Sequence, residues 1–387
     1  TPLAGDAQSD DFERRGPDEL SVSPRRRCEI HRLQRPCLDQ GHQCAPARGE
    51  RRRSADVEPQ PRRIRDHFRQ RGHIPQAEVQ PLARERMHAV RGISFEVKAG
   101  ETFCLVGESG CGKSSLALAS MALLSSNARL TGGEVRIQGK DIYKLNAGER
   151  RALRGRNVGM IFQDPMTAFN PVLTIGRQLV DFQYNLKLSA PECLSRAAAM
   201  LTRVGLPNPE SILARYVHEL SGGMRQRVGI AAALLMKPAV LIADEPTTAL
   251  DVTMEAQIIH LLRELRQDHK GTIVVVTHHL GVIGELCDRV YVMYAGQVVE
   301  EASVDDIYHS PRHPYTKALI DCDPAHLEGP VQILPTIPGR LPDLVDPPKG
   351  CAFAARCPQA KPRCSVVTPP RVTLSGSHSV LCSEVSE

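Results

Sequence analysis

A phosphate-binding pattern, GESGCGKS at residues 107–114, constrains the fold of this chain more than any other stretch. It matches G-x-x-x-x-G-K-[ST], follows the strand-like run TFCLV and precedes the helix-like run SSLALASMALL. Glycines in such a turn let backbone N–H groups face phosphate oxygens, and the helix adds the positive end of its dipole. Lys113 is placed to reach the β- and γ-phosphates. The candidate phosphate-binding residues are Gly107, Glu108, Ser109, Gly110, Cys111, Gly112, Lys113, Ser114 and Ser115.

A second motif, AVLIADEP at residues 239–246, is an apolar strand that ends in two carboxylates. A buried strand would deliver both carboxylates to its tip, beside the phosphate-binding loop. Asp244 is then placed to hold Mg²⁺ through water, together with the hydroxyl of Ser114. Glu245 is the candidate to polarise the attacking water.

Strand-like and helix-like stretches alternate from about residue 88 onward. HAVRGISFEVKAGETFCLVG predicts two strands, and GEVRIQG, NVGMIFQ, AVLIADEP and TIVVVTH each predict one. This alternation favours an α/β fold with a mostly parallel sheet and helices on its faces. Residues 165–220 are helical in pattern, as in an inserted subdomain. After residue 310 proline becomes frequent and regular periodicity fades, which indicates a separate tail.

The first 85 residues have a different character. They are rich in Arg, Pro and Gly and show no sustained period, so they predict a basic segment that is either disordered or an out-of-frame translation. The net charge of +5 is too small to predict a nucleic-acid partner. No apolar run is long enough to span a membrane and no signal peptide opens the chain, so we expect a cytosolic location.

A third motif, LSGGMRQRV at residues 220–228, predicts a second anion site, because Ser221 can cap a helix beside the bare Gly222 and Gly223. One nucleotide does not need two such sites in one chain. The stretch resembles the signature sequence of the ATP-binding cassette (ABC) ATPases. In that family the signature closes over the γ-phosphate of ATP held by a second, identical or related, subunit.

The other motifs of that family follow in order over residues 88–387. Gln163 in IFQDPMTAFNP resembles the Q-loop residue, which the resemblance makes a Mg²⁺ ligand. Asp251 in TTALD resembles the D-loop residue, and His278 in VVVTHH the switch histidine. The resemblance thus implies a P-loop core at 86–164 and 221–310 with an antiparallel β subdomain. It also implies a helical subdomain at 165–220 and an extension at 311–387. Catalysis would fall to Glu245, His278 and Gln163, with ATP and Mg²⁺ as cofactors.

Three further stretches, QDPMTAFNPVLTIG, PRHPYTKAL and GCAFAARCP, resemble the oligopeptide/dipeptide branch of the ABC importers. The resemblance implies an ATPase bound peripherally at the cytoplasmic face of the cell membrane. Its partners would be two membrane-spanning permease subunits and, indirectly, an external peptide-binding protein. A nickel importer of the same branch stays an alternative. A soluble ABC ATPase of DNA repair or translation is a weaker one, because this chain has one ATPase unit and no internal repeat.

Four cysteines gather in the tail, at Cys351, Cys357, Cys364 and Cys382. Disulfides are rare in the cytosol, and thiolates suit either zinc or an iron–sulfur cluster. The spacing is wider than the pairs typical of structural zinc sites. Because some relatives in this branch carry a four-iron four-sulfur cluster in a similar tail, the resemblance implies that cluster here. Unliganded thiols and, as the weakest, a zinc site are the other interpretations.

Some positions depart from the family pattern. His279 stands where many relatives have an acid, and Met224 replaces the commoner Gln of the signature. The family also has a first strand and an aromatic residue that stacks on adenine. AEVQPL at 77–82 is the candidate for that strand, and Phe68 for the stacking residue.

Overall fold

The computed structural model describes residues 20–22, 28–31, 86–248, 250–268, 271–323 and 334–385. The chain divides into a unit of Thr1–Ile30 with Arg86–Glu387 and a unit of His31–Glu85. The candidate strand at 77–82 and the candidate stacking residue Phe68 lie outside the described residues. Within the part of the chain that is described, no helix is long and apolar enough to cross a membrane.

Short strands and helices alternate along the described chain. The strands are β1 Leu20–Val22, β2 Cys28–His31, β3 Arg86–Val90, β4 Phe95–Val97, β5 Thr102–Val106, β6 Ala128–Leu130, β7 Val135–Ile137, β8 Lys140–Asp141, β9 Val158–Ile161, β10 Val240–Asp244, β11 Thr272–Thr277, β12 Arg289–Tyr294, β13 Gln297–Ser303, β14 Arg371–Ser375 and β15 His378–Leu381. The helices are α1 Lys113–Ser120, α2 Ala147–Arg156, α3 Pro165–Ala168, α4 Ile175–Phe182, α5 Ala190–Arg203, α6 Pro209–Ala214, α7 Gly222–Leu234, α8 Val252–Asp268, α9 Leu280–Leu286, α10 Val304–His309, α11 Pro314–Asp321 and α12 Pro362–Val366.

The central sheet has the strand order β14-β15-β13-β12-β5-β11-β10-β9. Five adjacent strands, β12, β5, β11, β10 and the edge strand β9, pair in parallel. Every residue of β5, β10 and β11 is buried, because helices cover both faces of this part of the sheet. The loops that follow these parallel strands therefore leave the sheet at one edge, where ligands bind in folds of this kind.

A smaller antiparallel sheet, ordered β4-β1-β7-β8, lies before the helical part of the chain. Its strand β1 pairs with both β4 and β7, so that Ser21 lies opposite Glu96 and Arg136. The sequence pattern did not indicate β1 or β2, because both are short and lie among Arg- and Pro-rich residues. The stretch at 88–107, interpreted above as two strands, contains three: β3, β4 and β5.

Helices α3 to α6 occupy the stretch interpreted as an inserted subdomain. They bury apolar residues against one another, among them Ile175, Leu179, Ala197 and Leu201. Gly176 lets α4 pack closely against α6, since a Cβ at this position would lie 2.9 Å from the carbonyl oxygen of Leu213. At the start of α5, the Glu192 carboxylate accepts hydrogen bonds from both the N–H and the hydroxyl of Ser189.

The chain after residue 310 packs on the core, although its sequence pattern indicated a separate tail. Strand β15 pairs with β13 and so extends the central sheet. Phe353 is buried, and its ring lies 5.2 Å from that of Tyr294 and 5.4 Å from that of Tyr315. Leu344 and Ala352 join the same apolar cluster. The extension thus shares a core with the sheet.

Phe353→Ala tests this shared core. Removing a buried aromatic side chain leaves a cavity and should lower the free energy of unfolding by about 3 kcal/mol. Val366→Ala is the matched control, since Val366 is 70% exposed in the same extension and should change that free energy by less than about 0.5 kcal/mol. Urea unfolding measures both. Equal effects of the two substitutions would contradict the shared core.

Candidate functional site

The phosphate-binding loop runs between β5 and α1, and two of its glycines are required by close backbone contacts. A Cβ at Gly107 would lie 2.2 Å from the carbonyl oxygen of Met293. A Cβ at Gly112 would lie 2.2 Å from that of Ala89. Both glycines also have positive φ angles, 153° and 104°, which L-residues rarely adopt. The loop can hold this shape only with glycine at these positions.

Lys113 places a positive charge inside this loop. Its ammonium donates hydrogen bonds to the carbonyl oxygens of Gly107 at 2.7 Å and Glu108 at 3.2 Å. The Cys111 sulfur lies 3.9 Å away. Burial raises the pKa of the Cys111 thiol more than the nearby lysine lowers it, so the thiol stays neutral. The loop therefore presents one cation and no competing thiolate.

Ser114 and Asp244 bring two oxygen ligands together. The Ser114 hydroxyl donates to the Asp244 carboxylate at 3.1 Å, and Asp244 is buried at the end of β10. Burial raises the pKa of Asp244, and the negative charge of Glu245 raises it further, against the hydrogen bond from Ser114. Hydroxyl and carboxylate oxygens are the ligands that Mg²⁺ prefers, so this pair fits that ion.

Glu245 is the most closely held carboxylate of the site. It accepts hydrogen bonds from Gln163 Nε2 at 2.7 Å and Thr248 Oγ1 at 2.9 Å, and its other oxygen lies 3.1 Å from His278 Nδ1. Partial burial raises the pKa of Glu245, but Thr248 and His278 outweigh it and hold that pKa below its ordinary value. The carboxylate is therefore ionised and oriented, as a group that polarises water must be.

The structure brings together Gln163, Glu245 and His278, three residues singled out from the sequence. Gln163 donates its amide to Glu245, and its role as a Mg²⁺ ligand stays a prediction. Thr248 was missed, although it lies in the quoted stretch TTALD, because that stretch was considered only for Asp251. Its position three residues after Glu245 in a turn is a usable signal: the Thr248 N–H also donates to the Glu245 carbonyl oxygen.

The predicted signature stretch begins α7. The Ser221 hydroxyl accepts from the Met224 N–H at 3.4 Å and so caps the helix, as its residue type predicts. Gly222 has open space where a Cβ would be, whereas a Cβ at Gly223 would lie 1.9 Å from the Met254 methyl carbon. Asp251 accepts from the Met254 N–H at 2.9 Å. Signature and D-loop stretches therefore meet at Met254, with Ser221, Gly222 and Asp251 exposed.

The four tail cysteines line one cavity of about 20 Å³ beneath Phe353, and none is in a disulfide. The Cys351 N–H donates to the Cys364 carbonyl oxygen at 2.7 Å, which closes the turn between them. Burial raises the pKa of Cys351 and of Cys357. Among the described residues, however, no group of three or more Cys, His, Asp or Glu is spaced to hold a metal ion. The donor type suits a cluster, and the spacing seen here does not.

An ion pair that the sequence did not indicate joins the tail to the phosphate-binding loop. Arg356 contacts both carboxylate oxygens of Glu108, at 2.8 and 3.0 Å. The backbone N–H of Glu108 donates to the Tyr315 hydroxyl at 2.9 Å. The partners are 248 and 207 residues apart, so no local sequence pattern could reveal either contact.

A groove separates the core from helices α3 and α4. Its volume is about 520 Å³, and its lining is mostly apolar. Phe182 and Tyr184 line it and are 37% and 50% exposed. The guanidinium of Arg151 lies over the Tyr184 ring, 5.1 Å from its centre. We refer to this feature as the core–helix groove.

Two family models match the chain. The model described as "ABC transporter" matches residues 90–248. The model described as "Oligopeptide/dipeptide transporter, C-terminal region" matches residues 299–364. The second match includes three of the four tail cysteines.

Curated relatives match most of the chain. The "Dipeptide transport ATP-binding protein DppD" of Bacillus subtilis (strain 168) is 46% identical over 298 residues, covering 76% of this chain and 89% of the relative. The "Oligopeptide transport ATP-binding protein OppD" of Escherichia coli (strain K12) is 45% identical over 282 residues, covering 73% and 83%.

Solved structures agree on the fold. The ATP-binding cassette MJ0796, solved as a dimer bound to ADP and Pi, matches with a TM-score of 0.52 and 30% identity, over 58% of this chain and 94% of that one. The core is thus an ABC ATPase fold of the P-loop type, with a mixed sheet and flanking helices. The motifs, the fold and the relatives agree: this chain belongs to the ABC transporter family, among the ATP-binding proteins that carry the oligopeptide/dipeptide C-terminal region.

Proposed function

We propose that this chain is the ATP-hydrolysing subunit of an ABC importer for oligopeptides or dipeptides. The proposal that the chain hydrolyses ATP rests on the ionised Glu245 carboxylate. Three side chains hold this carboxylate next to the Ser114–Asp244 pair. The substrate class rests on relatives named for dipeptide and oligopeptide transport and on the match of residues 299–364. No contact of the described residues favours nickel or nucleic acid instead.

The triphosphate of ATP lies in the loop at 107–114, where Lys113 and backbone N–H groups neutralise its charge. Ser114 and Asp244 would hold Mg²⁺, which would supply positive charge to offset that of the phosphate oxygens. Gln163, whose amide donates to Glu245, is the further candidate ligand. Glu245 polarises the water that attacks the γ-phosphate, and His278 positions both groups.

A second ABC subunit, either a copy of this chain or a relative, completes each ATP site. The exposed positions of Ser221, Gly222 and Asp251 support this arrangement. A Cβ built at Gly222 would have no atom within 4 Å, so the surface beside it is open to a ligand. An N-capped helix start with bare glycine is an anion site that needs a ligand from outside its own chain. ATP binding closes the pair head to tail, and hydrolysis reopens it.

The core–helix groove receives one of the two membrane-spanning partners. Its apolar lining with exposed Phe182 and Tyr184 is typical of a surface that buries a partner's side chains. Gln163 immediately follows Phe162 of the groove and contacts Glu245, so motion at the ATP site reaches the groove through one residue. The subunit is therefore peripheral, at the cytoplasmic face of the membrane.

The tail cysteines hold a four-iron four-sulfur cluster in this proposal. Four free thiols that line one cavity support this proposal. The four cysteines would have to move closer together to bind the cluster. Such a cluster would join Cys351, Cys357, Cys364 and Cys382 into one small unit. No step of ATP hydrolysis depends on it.

Glu245→Gln tests the catalytic assignment. The amide cannot accept a proton, so the ATPase rate should fall at least 100-fold, while ATP affinity changes less than about threefold. Glu264→Gln is the matched control, because Glu264 lies on the exposed face of α8. Uptake of a labelled tripeptide by cells should be lost with Glu245→Gln alone. Unchanged hydrolysis would refute the role of Glu245, and peptide uptake that survives alongside lost nickel uptake would refute the peptide assignment.

Phe182→Ser tests the core–helix groove. The substitution removes an apolar contact, so binding of the chain to permease-containing membranes should weaken about tenfold. ATP hydrolysis by the isolated chain should not change. Leu188→Ser is the control, since Leu188 is 40% exposed and lies outside the groove. Equal sedimentation of both variants with the membranes would contradict the docking site.

The cluster is tested by chemical analysis after anaerobic purification. The intact chain should contain about four iron and four sulfide per molecule, and Cys382→Ser should lose both. Cys193→Ser, which alters a buried thiol of α5, should keep them. Finding one zinc per molecule and no sulfide would show a zinc site instead of the cluster. Finding no metal would show that the thiols are unliganded.

A further inference from the structure

Arg356 is the most fully hydrogen-bonded charged side chain of the C-terminal extension. Its guanidinium has five N–H groups, and each has an acceptor. Two donate to the Glu108 carboxylate, one to the Tyr294 hydroxyl at 3.2 Å, and two to the carbonyl oxygens of Pro338 at 2.9 Å and Ile337 at 3.1 Å. The side chain is only 4% exposed. Because all five N–H groups are hydrogen-bonded, the guanidinium is held in one position.

The partner of this arginine is part of the phosphate-binding loop. Glu108 directly follows Gly107, the first glycine of the motif, and its main-chain carbonyl accepts from Lys113. Its N–H donates to the Tyr315 hydroxyl. On the same side, a Cβ at Gly110 would lie 3.8 Å from a methyl carbon of Leu341. Two separate parts of the extension, at 315 and 356, therefore contact the loop, and Leu341 borders the space beside Gly110.

The Arg356–Glu108 ion pair affects how favourably the loop binds a nucleotide. A free carboxylate on Glu108 would stand next to a loop that must receive a strongly anionic triphosphate. Arg356 neutralises that carboxylate through two charge-assisted hydrogen bonds, and it restricts the loop to one shape before any ligand binds. The loop thus keeps the positive field of Lys113 and loses less conformational freedom on binding.

We infer that the C-terminal extension is an intramolecular latch on the phosphate-binding loop, in which Arg356 acts through Glu108 as a positioning residue for ATP. This inference rests on the proposed assignment of that loop as the ATP site. Arg356 directly precedes Cys357, and the turn that presents it runs from Cys351. The cysteine-lined turn therefore sets where the guanidinium lies. Because coupling is reciprocal, ATP in the loop stabilises the extension in turn.

The test is ATP affinity, measured with a fluorescent ATP analogue, for Arg356→Ala, Glu108→Gln and the double variant. Arg356→Ala exposes the Glu108 charge, so affinity should fall about tenfold. Adding Glu108→Gln to Arg356→Ala removes that charge and should recover about threefold. Arg363→Ala is the matched control, because Arg363 pairs with Glu384 in the same extension and should leave affinity unchanged. The hydrolysis rate of Arg363→Ala at saturating ATP should stay within about twofold of that of the unaltered chain, whereas the loss in Arg356→Ala should appear as a higher KM for ATP.

Hydrogen exchange separates the latch from a merely structural role. In the unaltered chain, addition of ATP should slow amide exchange across residues 350–364, and in Arg356→Ala it should not. The latch is refuted if adding Glu108→Gln to Arg356→Ala does not recover ATP affinity and if ATP does not change amide exchange in the extension. Arg356 then only stabilises the fold. Failure of the unaltered chain to bind ATP would instead refute the proposed function. Urea unfolding of each variant shows that a loss of affinity is not a loss of folding.

Discussion

The parallel pairing of three buried strands is the constraint on which the chemistry of this chain depends. Val106 at the end of β5 lies opposite Thr277 of β11, so the loop at Gly107 and the residue His278 leave the sheet at the same level. Asp244 of β10 lies opposite Val276. Side-chain packing against the covering helices fixes this register, because a slip by one residue would turn each side chain to the other face. The sheet thus brings the phosphate-binding loop, Asp244 and Glu245 to the same end of the parallel strands.

Much of this arrangement could be predicted because the strands that build it are continuous apolar runs. TFCLV, AVLIAD and TIVVVT are buried on both faces, and such runs stand out between helical stretches. The phosphate-binding pattern then identified which strand end carries chemistry. Glu245 was singled out from its strand and Gln163 and His278 by resemblance, and the fold brings both of the latter within hydrogen-bonding distance of Glu245.

The features that the sequence did not reveal depend on contacts between distant segments. Strand β1 has three residues and acquires its place only through pairing with β4 and β7. The pairing of β15 with β13 depends equally on tertiary contact, since nothing in the periodicity after residue 310 indicates a strand at the edge of the main sheet. The Arg356–Glu108 ion pair joins two loops, for which residue type gives no partner. Local patterns predict elements, and tertiary packing decides which of them meet.

Adjacent carboxylates at the end of β10 show how one backbone turn produces two chemical roles. Burial raises the pKa of Asp244, whereas hydrogen bonds from Thr248 and His278 hold the pKa of Glu245 below its ordinary value. Glu245 also has a positive φ of 47°, a backbone conformation that residues other than glycine rarely adopt. A divalent cation at Asp244 would offset the cost of its buried charge, while Glu245 needs no ion to stay ionised. The two acids are therefore distinguished by their neighbours: burial outweighs the hydrogen bond from Ser114 at Asp244, whereas hydrogen bonds outweigh burial at Glu245 and favour the charged form that the proposed activation of water requires.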